Sequence, residues 1–550
     1  MESFLRTAEA IAEASAATLV VAVLSYLWWR SFHSARSRND VRCKNGKLPS
    51  PAPVLPTCFG LIGGHSLAIQ EGRSVEQLED WAEEFGGEFE LWLRGVRVIC
   101  VTELADIRRI LSLRPSRFKR GITCDPYKWA ARQMGVKNSM FFEEGKEWGR
   151  SRRLISPNLT GHNIAAMLPI ISKVAERLCA KFVEKANAKE VVVGRDSFGR
   201  FTHDVIALTA FGMDVGSINA TEQRPCRSFE AMENLTSGLT QLVRKPFKIA
   251  AWRFLPVLPW VRSTKEHGRN LERVIQGAID AVRLEAGKPT PRSEGEISFE
   301  GTLLRKMVRA TNSKDGSSMS SSDRMLFSDR EVMNEARSIF IAGTETTGLT
   351  LCWAMYFLIK NPEAFARCRA EALRAAPLSD GMVSTSEQLS QLVFCSAVFK
   401  ETLRLRTPAP LLAFNCVDDF TLKSGFVIEE GVGLFVLTRA VGVSDEFFTR
   451  GKDFVPERWI EAERKEALLG KGGTGNVVHE EEAFMALGHG PRVCPGQGMA
   501  KTEGAIIIAA ICARFDLSLA PGQADPPEEV VSFTAGPKEL NMVVRRREKA

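Results

Sequence analysis

Apolar and polar positions alternate along this chain in patterns that separate helix from strand. Glu88 to Val101 reads as strand, turn at Gly95 and strand, followed by a helix rich in Ile and Leu. From Trp148 to about Glu184 the apolar spacing is helical, and it continues with breaks to about Leu284. Residues 287–323 are polar around one short helix predicted over Leu303 to Ala310. Ser328 and Glu331 then form a capping box, with Phe327 and Val332 as a hydrophobic staple. The long helix they open runs to Asn361-Pro362. A second polar insertion covers about 461–482, and a helix is predicted from about Gly498 to Phe515. A closing strand pair is expected at Val530–Phe533 and Met542–Val544, around a turn at Gly536-Pro537. The pattern contains no internal repeat and predicts a chain that is mainly α with small β-sheets (α+β).

The amino terminus has a different character. Ala14 to Trp29 is almost wholly apolar and uncharged, near the lower length limit for a spanning helix, with Tyr26, Trp28 and Trp29 at the level of an interfacial belt. Arg30, Arg36, Arg38, Arg42, Lys44 and Lys47 follow against only Asp40, so this flank is expected to stay cytosolic. A cleaved signal would carry its charge before the apolar run, and Glu2, Glu9 and Glu13 do not suit a mitochondrial transit peptide. The run Leu48-Pro-Ser-Pro-Ala-Pro-Val-Leu-Pro56 is stiff and extended. The expected division is a membrane anchor at 1–30, a basic flank and Pro-rich hinge at 31–64, and a catalytic domain at 65–550.

Composition adds limits. With 44% apolar and 25% charged residues the chain can bury a large core. A net charge of +7, without zinc-finger spacing or an RNA-binding signature, gives no reason to expect nucleic acid as a partner. The 12 cysteines are scattered, without a C-x-x-C pair, and most read as small buried hydrophobes in a reducing compartment.

One cysteine stands apart. In Leu487-Gly-His-Gly-Pro-Arg-Val-Cys494-Pro-Gly496, Gly488 and Gly490 permit a tight turn and close approach of backbone to a flat ligand. Arg492 supplies a cation suited to a carboxylate, and a helix amino terminus after Cys494 favours the thiolate. On the long helix lies Ala342-Gly343-Thr344-Glu345-Thr346-Thr347, where Gly343 thins the helix and a Thr hydroxyl can bond back to a carbonyl. Glu401 and Arg404 share a helix face, Arg458 follows in Pro456-Glu-Arg-Trp459, and Trp148 and Arg152 are one turn apart.

Together these stretches resemble the cytochrome P-450 superfamily, from the Pro-rich hinge to the end of the chain. The Cys494 segment resembles its haem-binding loop, Phe-x-x-Gly-x-Arg-x-Cys-x-Gly, with Leu487 in the Phe position. The resemblance implies the fold of that family, a single large helical domain around haem b (iron protoporphyrin IX). It makes Cys494 the thiolate ligand of the iron and places Trp148, Arg152, Arg492 and Gly343 around the cofactor. It gives Glu345 and Thr346 proton delivery to dioxygen, and Glu401, Arg404 and Arg458 a structural charge network. Lys146, Arg150 and Arg153 would surround the docking face of an electron donor. The basic residue that many members carry after Thr407-Pro-Ala-Pro410 is missing from Leu411 to Cys416. The implied activity is hydroxylation of an apolar small molecule of fatty acid, sterol or terpenoid class. Electrons would come from a separate NADPH-cytochrome P-450 reductase, since the stretch after Cys494 is too short for a fused one, and the site of action would be the endoplasmic reticulum membrane. The alternatives are a haem-thiolate isomerase or dehydratase, against which Glu345 and Thr346 argue, and a non-catalytic haem sensor. Thr534 to Gly536 are candidates to line the pocket.

Overall fold

The computed structural model describes residues 48–50, 74–93, 96–120, 138–244, 259–285, 301–311, 327–461, 463–470, 477, 481–531 and 534–547. The expected anchor and nearly all of the flank and hinge lie outside the described residues, as do Gly95 and most of the polar stretch at 287–323. Among the described residues no helix is long and apolar enough to cross a membrane.

In chain order the described helices are α1 (Ser74–Phe85), α2 (Leu104–Ser112), α3 (Gly145–Ile155), α4 (Gly161–Ala188), α5 (Gly194–Phe211), α6 (Arg227–Arg244), α7 (Pro259–Glu285) and α8 (Leu303–Arg309). They continue as α9 (Asp329–Lys360), α10 (Pro362–Ala375), α11 (Ser386–Ser390), α12 (Val393–Leu405), α13 (Thr438–Val443), α14 (Arg464–Leu469) and α15 (Gln497–Arg514). Strands β1 (Glu88–Leu93), β2 (Val96–Val101), β3 (Phe118–Lys119), β5 (Leu412–Cys416) and β8 (Gly433–Val436) form one sheet in the order β1-β2-β8-β5-β3. Within it β2 and β8 run parallel and the other pairs antiparallel. Strands β4 (Val192–Val193), β9 (Phe515–Leu519) and β12 (Asn541–Arg546) form a second sheet, and β10 (Glu529–Val531) pairs with β11 (Ala535–Pro537). A further hairpin joins β6 (Phe420–Thr421) to β7 (Val427–Ile428).

The capping box of α9 forms as the sequence expects. Ser328 accepts from the Glu331 amide, and the Glu331 carboxylate accepts in return from the Ser328 amide. Pro362 ends α9 at Lys360 and opens α10, because its ring cannot continue the ladder but suits a first helical turn. Past its amino-terminal turns α9 is apolar on several faces, as a helix through the middle of a core must be, with Phe340, Leu351, Trp353, Met355 and Leu358 all buried. The unbroken apolar run Ala505–Ala513 makes α15 the other central helix. A side chain at Gly504 would collide with the Phe399 ring, so this glycine sets how closely α15 approaches α12.

Three expectations change. The helix beginning near Trp148 stops at Ile155, where Ser156–Leu159 tightens into a 3₁₀ turn around Pro157 before α4. Gly536 and Pro537 lie in a strand rather than a turn. The segment Asn541–Arg546 pairs instead with β9 and β4, burying Met542 and Val544. Its alternation predicted a strand correctly, but its partner was decided by which sheet could cover that face.

Candidate active site

The Cys494 loop is a tight turn entering α15. Gly488 and Gly490 have positive φ values of 77° and 67°, and the Cys494 amide donates to the Leu487 carbonyl at 2.9 Å. The close approach that Gly490 permits is to the protein itself, since a β-carbon there would lie 2.6 Å from the Leu111 carbonyl oxygen. Of the cysteines in the described residues, all are buried except Cys494, which is partly exposed. Burial pushes its thiol above the ordinary value, against the Gly496 amide, Arg152 and Lys501, which pull it down. The helix start acts in the direction the sequence suggests, since the Gly496 amide pulls the thiol down, although burial outweighs it. A coordinating metal would hold this sulfur as the thiolate.

Guanidinium groups gather beside this loop. Arg492 donates to the carbonyls of Met140 at 3.1 Å and Glu143 at 2.5 Å, pairs with Glu144, and lies 4.3 Å from the centre of the Trp148 ring. Its Nε is a buried donor without a partner among the described residues. Arg152 is close enough to both Cys494 and Arg492 to interact electrostatically. Arg114, which the motifs did not reveal, is buried 4.0 Å from Glu144. It lies over the Phe414 ring, 4.1 Å from its centre, beside the strand where the sequence lacks the expected basic residue. Burial, with Arg120 and Arg152 nearby, pushes Arg492 below its ordinary value despite Glu144. Arg492, Arg152 and Arg114 thus gather on one side of the Cys494 loop, a set of donors that suits the two carboxylates of a haem. The Arg150 side chain is turned elsewhere. It pairs with Glu331 at the start of α9 and sits over Phe327, so it belongs to an internal bridge, while Lys146 and Arg153 remain exposed.

On α9 the Thr346 hydroxyl donates to the Ala342 carbonyl at 2.8 Å, the back-bond that this sequence permits. Gly343 packs closely against a neighbouring helix. Its missing side chain faces α5, where a β-carbon would lie 2.9 Å from Ile206 Cγ1, so Ile206 fills the space it leaves. Glu345 lines a cavity of about 450 Å³ together with Arg195, Phe229, Glu233, Leu349 and Val531. Val530 and Val531 supply the contribution of the β10–β11 hairpin to this lining, in place of Thr534 to Gly536. Glu401, Arg404 and Arg458 come together in full burial. The Glu401 carboxylate accepts from Arg404 at 2.7 and 2.8 Å, from Arg458 at 2.9 Å, from the Val455 amide at 2.9 Å and from Trp459 at 2.9 Å. Burial alone would raise Glu401, but the two guanidiniums hold it below its ordinary value.

A helical fold with small sheets, a partly exposed cysteine at the mouth of a central helix and a group of guanidiniums beside it describe a haem-thiolate protein. The model of the cytochrome P450 family matches residues 53–544, and the chain belongs to that family. It is similar to a cytokinin hydroxylase of Arabidopsis thaliana, 27% identical over 486 residues, covering 85% of this chain and 82% of the relative. It is also similar to a bifunctional cytochrome P450/NADPH–P450 reductase of Fusarium oxysporum, 25% identical over 467 residues, covering 84% of this chain and 40% of that protein. Among solved structures, the crystal structure of the cytochrome P450DA heme domain superposes with a TM-score of 0.74 at 20% identity, over 92% of this chain and 98% of the other. The protein is a cytochrome P450 monooxygenase.

Proposed function

We propose that this monooxygenase hydroxylates an apolar small molecule of the fatty acid, sterol or terpenoid class. Its electrons come from NADPH through a separate reductase, and it works at the cytosolic face of the endoplasmic reticulum membrane. The observation that carries the reading is Cys494, the one partly exposed cysteine among the described residues, beside the guanidiniums of Arg492 and Arg152. Cys494 would hold the iron of haem b, and Arg492, Arg152 and Arg114, with Trp148 stacked on Arg492, would hold its carboxylates. When bound, thiolate-ligated haem supplies dioxygen binding and O–O cleavage. Glu345, at the cavity wall, would take protons from water, and Thr346, next to it, would pass them on. Phe229, Met232, Leu349, Val530 and Val531 give that cavity an apolar side, which supports an apolar substrate. The relative named as a hydroxylase supports the reaction type, and the relative whose name includes a reductase supports the electron source. The apolar run at 14–29 and its basic flank support the membrane anchor.

The test is the absorption spectrum of the reduced protein under carbon monoxide, beside Cys494→Ser. Wild type is expected to show the red-shifted Soret band of thiolate ligation, and the variant to lose it while still folding. A wild-type spectrum typical of a histidine or neutral-thiol ligand would remove the foundation of the reading.

A further inference from the structure

The residue between Gly343 and Glu345 is held from outside its own helix. Thr344 is fully buried, and its carbonyl and hydroxyl are both engaged by α5. The Thr202 hydroxyl donates to the Thr344 carbonyl at 2.7 Å, shorter than its distances to Phe198 and Gly199 of its own helix, 3.0 and 3.1 Å. A hydroxyl has one proton, so the bond across to α9 takes it. His203 Nδ1 lies 3.3 Å from the Thr344 hydroxyl, and its Nε2 lies 2.9 Å from the Ser228 hydroxyl on α6. Burial pushes His203 down to about 3, so its ring is neutral and needs one donor and one acceptor, which two hydroxyls supply. Glycines bring the helices close enough for these bonds. Gly343 admits Ile206, and a β-carbon at Gly348 would lie 3.3 Å from the Gly199 backbone.

We infer that Thr202 and His203 are positioning residues for proton delivery, clamping Thr344 so that Glu345 and Thr346 keep their aim. The Thr344 carbonyl would otherwise belong wholly to the α9 ladder, and a side chain bonded into that ladder changes the local path of a helix. Thr344, Glu345 and Gly348 line the same cavity as Gly199 and Phe229, so the clamp adjoins the cavity wall that carries the acid. Two packed helices joined only by apolar contact could slide or rotate slightly. Directional bonds to the carbonyl and the hydroxyl of one residue remove that freedom.

The inference rests on the proposed proton role of Glu345 and Thr346, and the experiment separates the two. The variants are Thr202→Val, which keeps the shape and removes the hydroxyl, Thr202→Ser, which restores a hydroxyl, and Thr344→Val, which removes the group His203 holds. Each haem-loaded protein is first checked for the reduced carbon monoxide spectrum, then mixed with purified reductase, NADPH and dioxygen in ordinary and heavy water. The rate of NADPH use and its solvent isotope effect are followed. Amide hydrogen exchange across residues 342–350 is followed by mass spectrometry. Thr202→Val is expected to keep the thiolate spectrum, slow the proton-dependent rate about tenfold with a larger isotope effect, and speed exchange in that segment. Thr202→Ser is expected to return both readouts to wild type, and Thr344→Val to move them in the same direction as Thr202→Val. If Thr202→Val does not take up haem, Thr344→Val against Thr202→Ser gives the same comparison. Wild-type exchange and isotope effect in both valine variants would overturn the clamp. A Glu345→Gln variant whose rate and isotope effect match wild type would instead remove the proton role on which the clamp acts.

Discussion

Glu401 shows at the scale of one residue why a buried charge is safe only in company. Its carboxylate is out of water and fully ligated by two arginines, an amide and an indole. Arg404 also donates to the carbonyls of Gly442, Gly451 and Asp453, tying α12 to the loop before Arg458. Glu401→Gln is expected to cost about 3–5 kcal/mol in chemical unfolding, because it leaves two guanidiniums buried without their anion. The pH dependence has a definite sign. The Glu401 carboxyl is held below its unfolded value, so its contribution is complete above the ordinary carboxylate range and is lost as pH falls through the lower folded value. Melting temperature should therefore fall more steeply on acidification in wild type than in Glu401→Gln.

Between elements the controlling features are small. Gly343 lets Ile206 of α5 nest against α9, and Gly343→Ala is expected to destabilise by about 1–3 kcal/mol through overpacking. Ile206→Ala in the same chain should recover part of that loss, and a double-mutant cycle of unfolding free energies would read the coupling. Glu335 ties α9 to the segment before α3 by accepting from the Met140 amide at 2.8 Å. Burial pushes its carboxyl up from 4.5 to about 7, against Ser151, Met140 and Arg150. Between those two values the folded protein holds a proton that the unfolded chain has released, so stability falls as pH rises through that window. Glu335→Gln should flatten this part of the stability profile, and a wild-type slope retained in the variant would count against the assignment.

Across the whole molecule a second ion network joins parts of the chain that are far apart in sequence. Buried Arg439 of α13 pairs with Glu79 of α1 and with Glu529 of β10 at 2.6 Å, and Arg406 reaches Glu76 and Glu529 at 3.5 Å. Glu529 is followed by Val530 and Val531 of the cavity wall, so the network connects α1 to that wall. Arg439→Met is expected to cost about 3–5 kcal/mol and to raise hydrogen exchange in both α1 and the β10–β11 hairpin. A rise confined to one of them would show that the network does not couple them.

The sequence by itself determined the elements whose cause is local. A capping box, a proline after a helix and a cysteine among glycines act within a few residues, so Ser328, Pro362 and the Cys494 turn were legible from spacing alone. Glu401 with Arg404, and Trp148 with Arg152, were legible because a helix places such residues on one face. The tertiary structure alone decided which distant groups meet. Arg114 takes its place over Phe414, Glu144 faces Arg492, Gly343 receives Ile206, and Thr202 and His203 grip Thr344 across two helices. No period or motif encodes these pairings, because each depends on how packed helices cross, and that is settled by filling the core rather than by the neighbours of either residue.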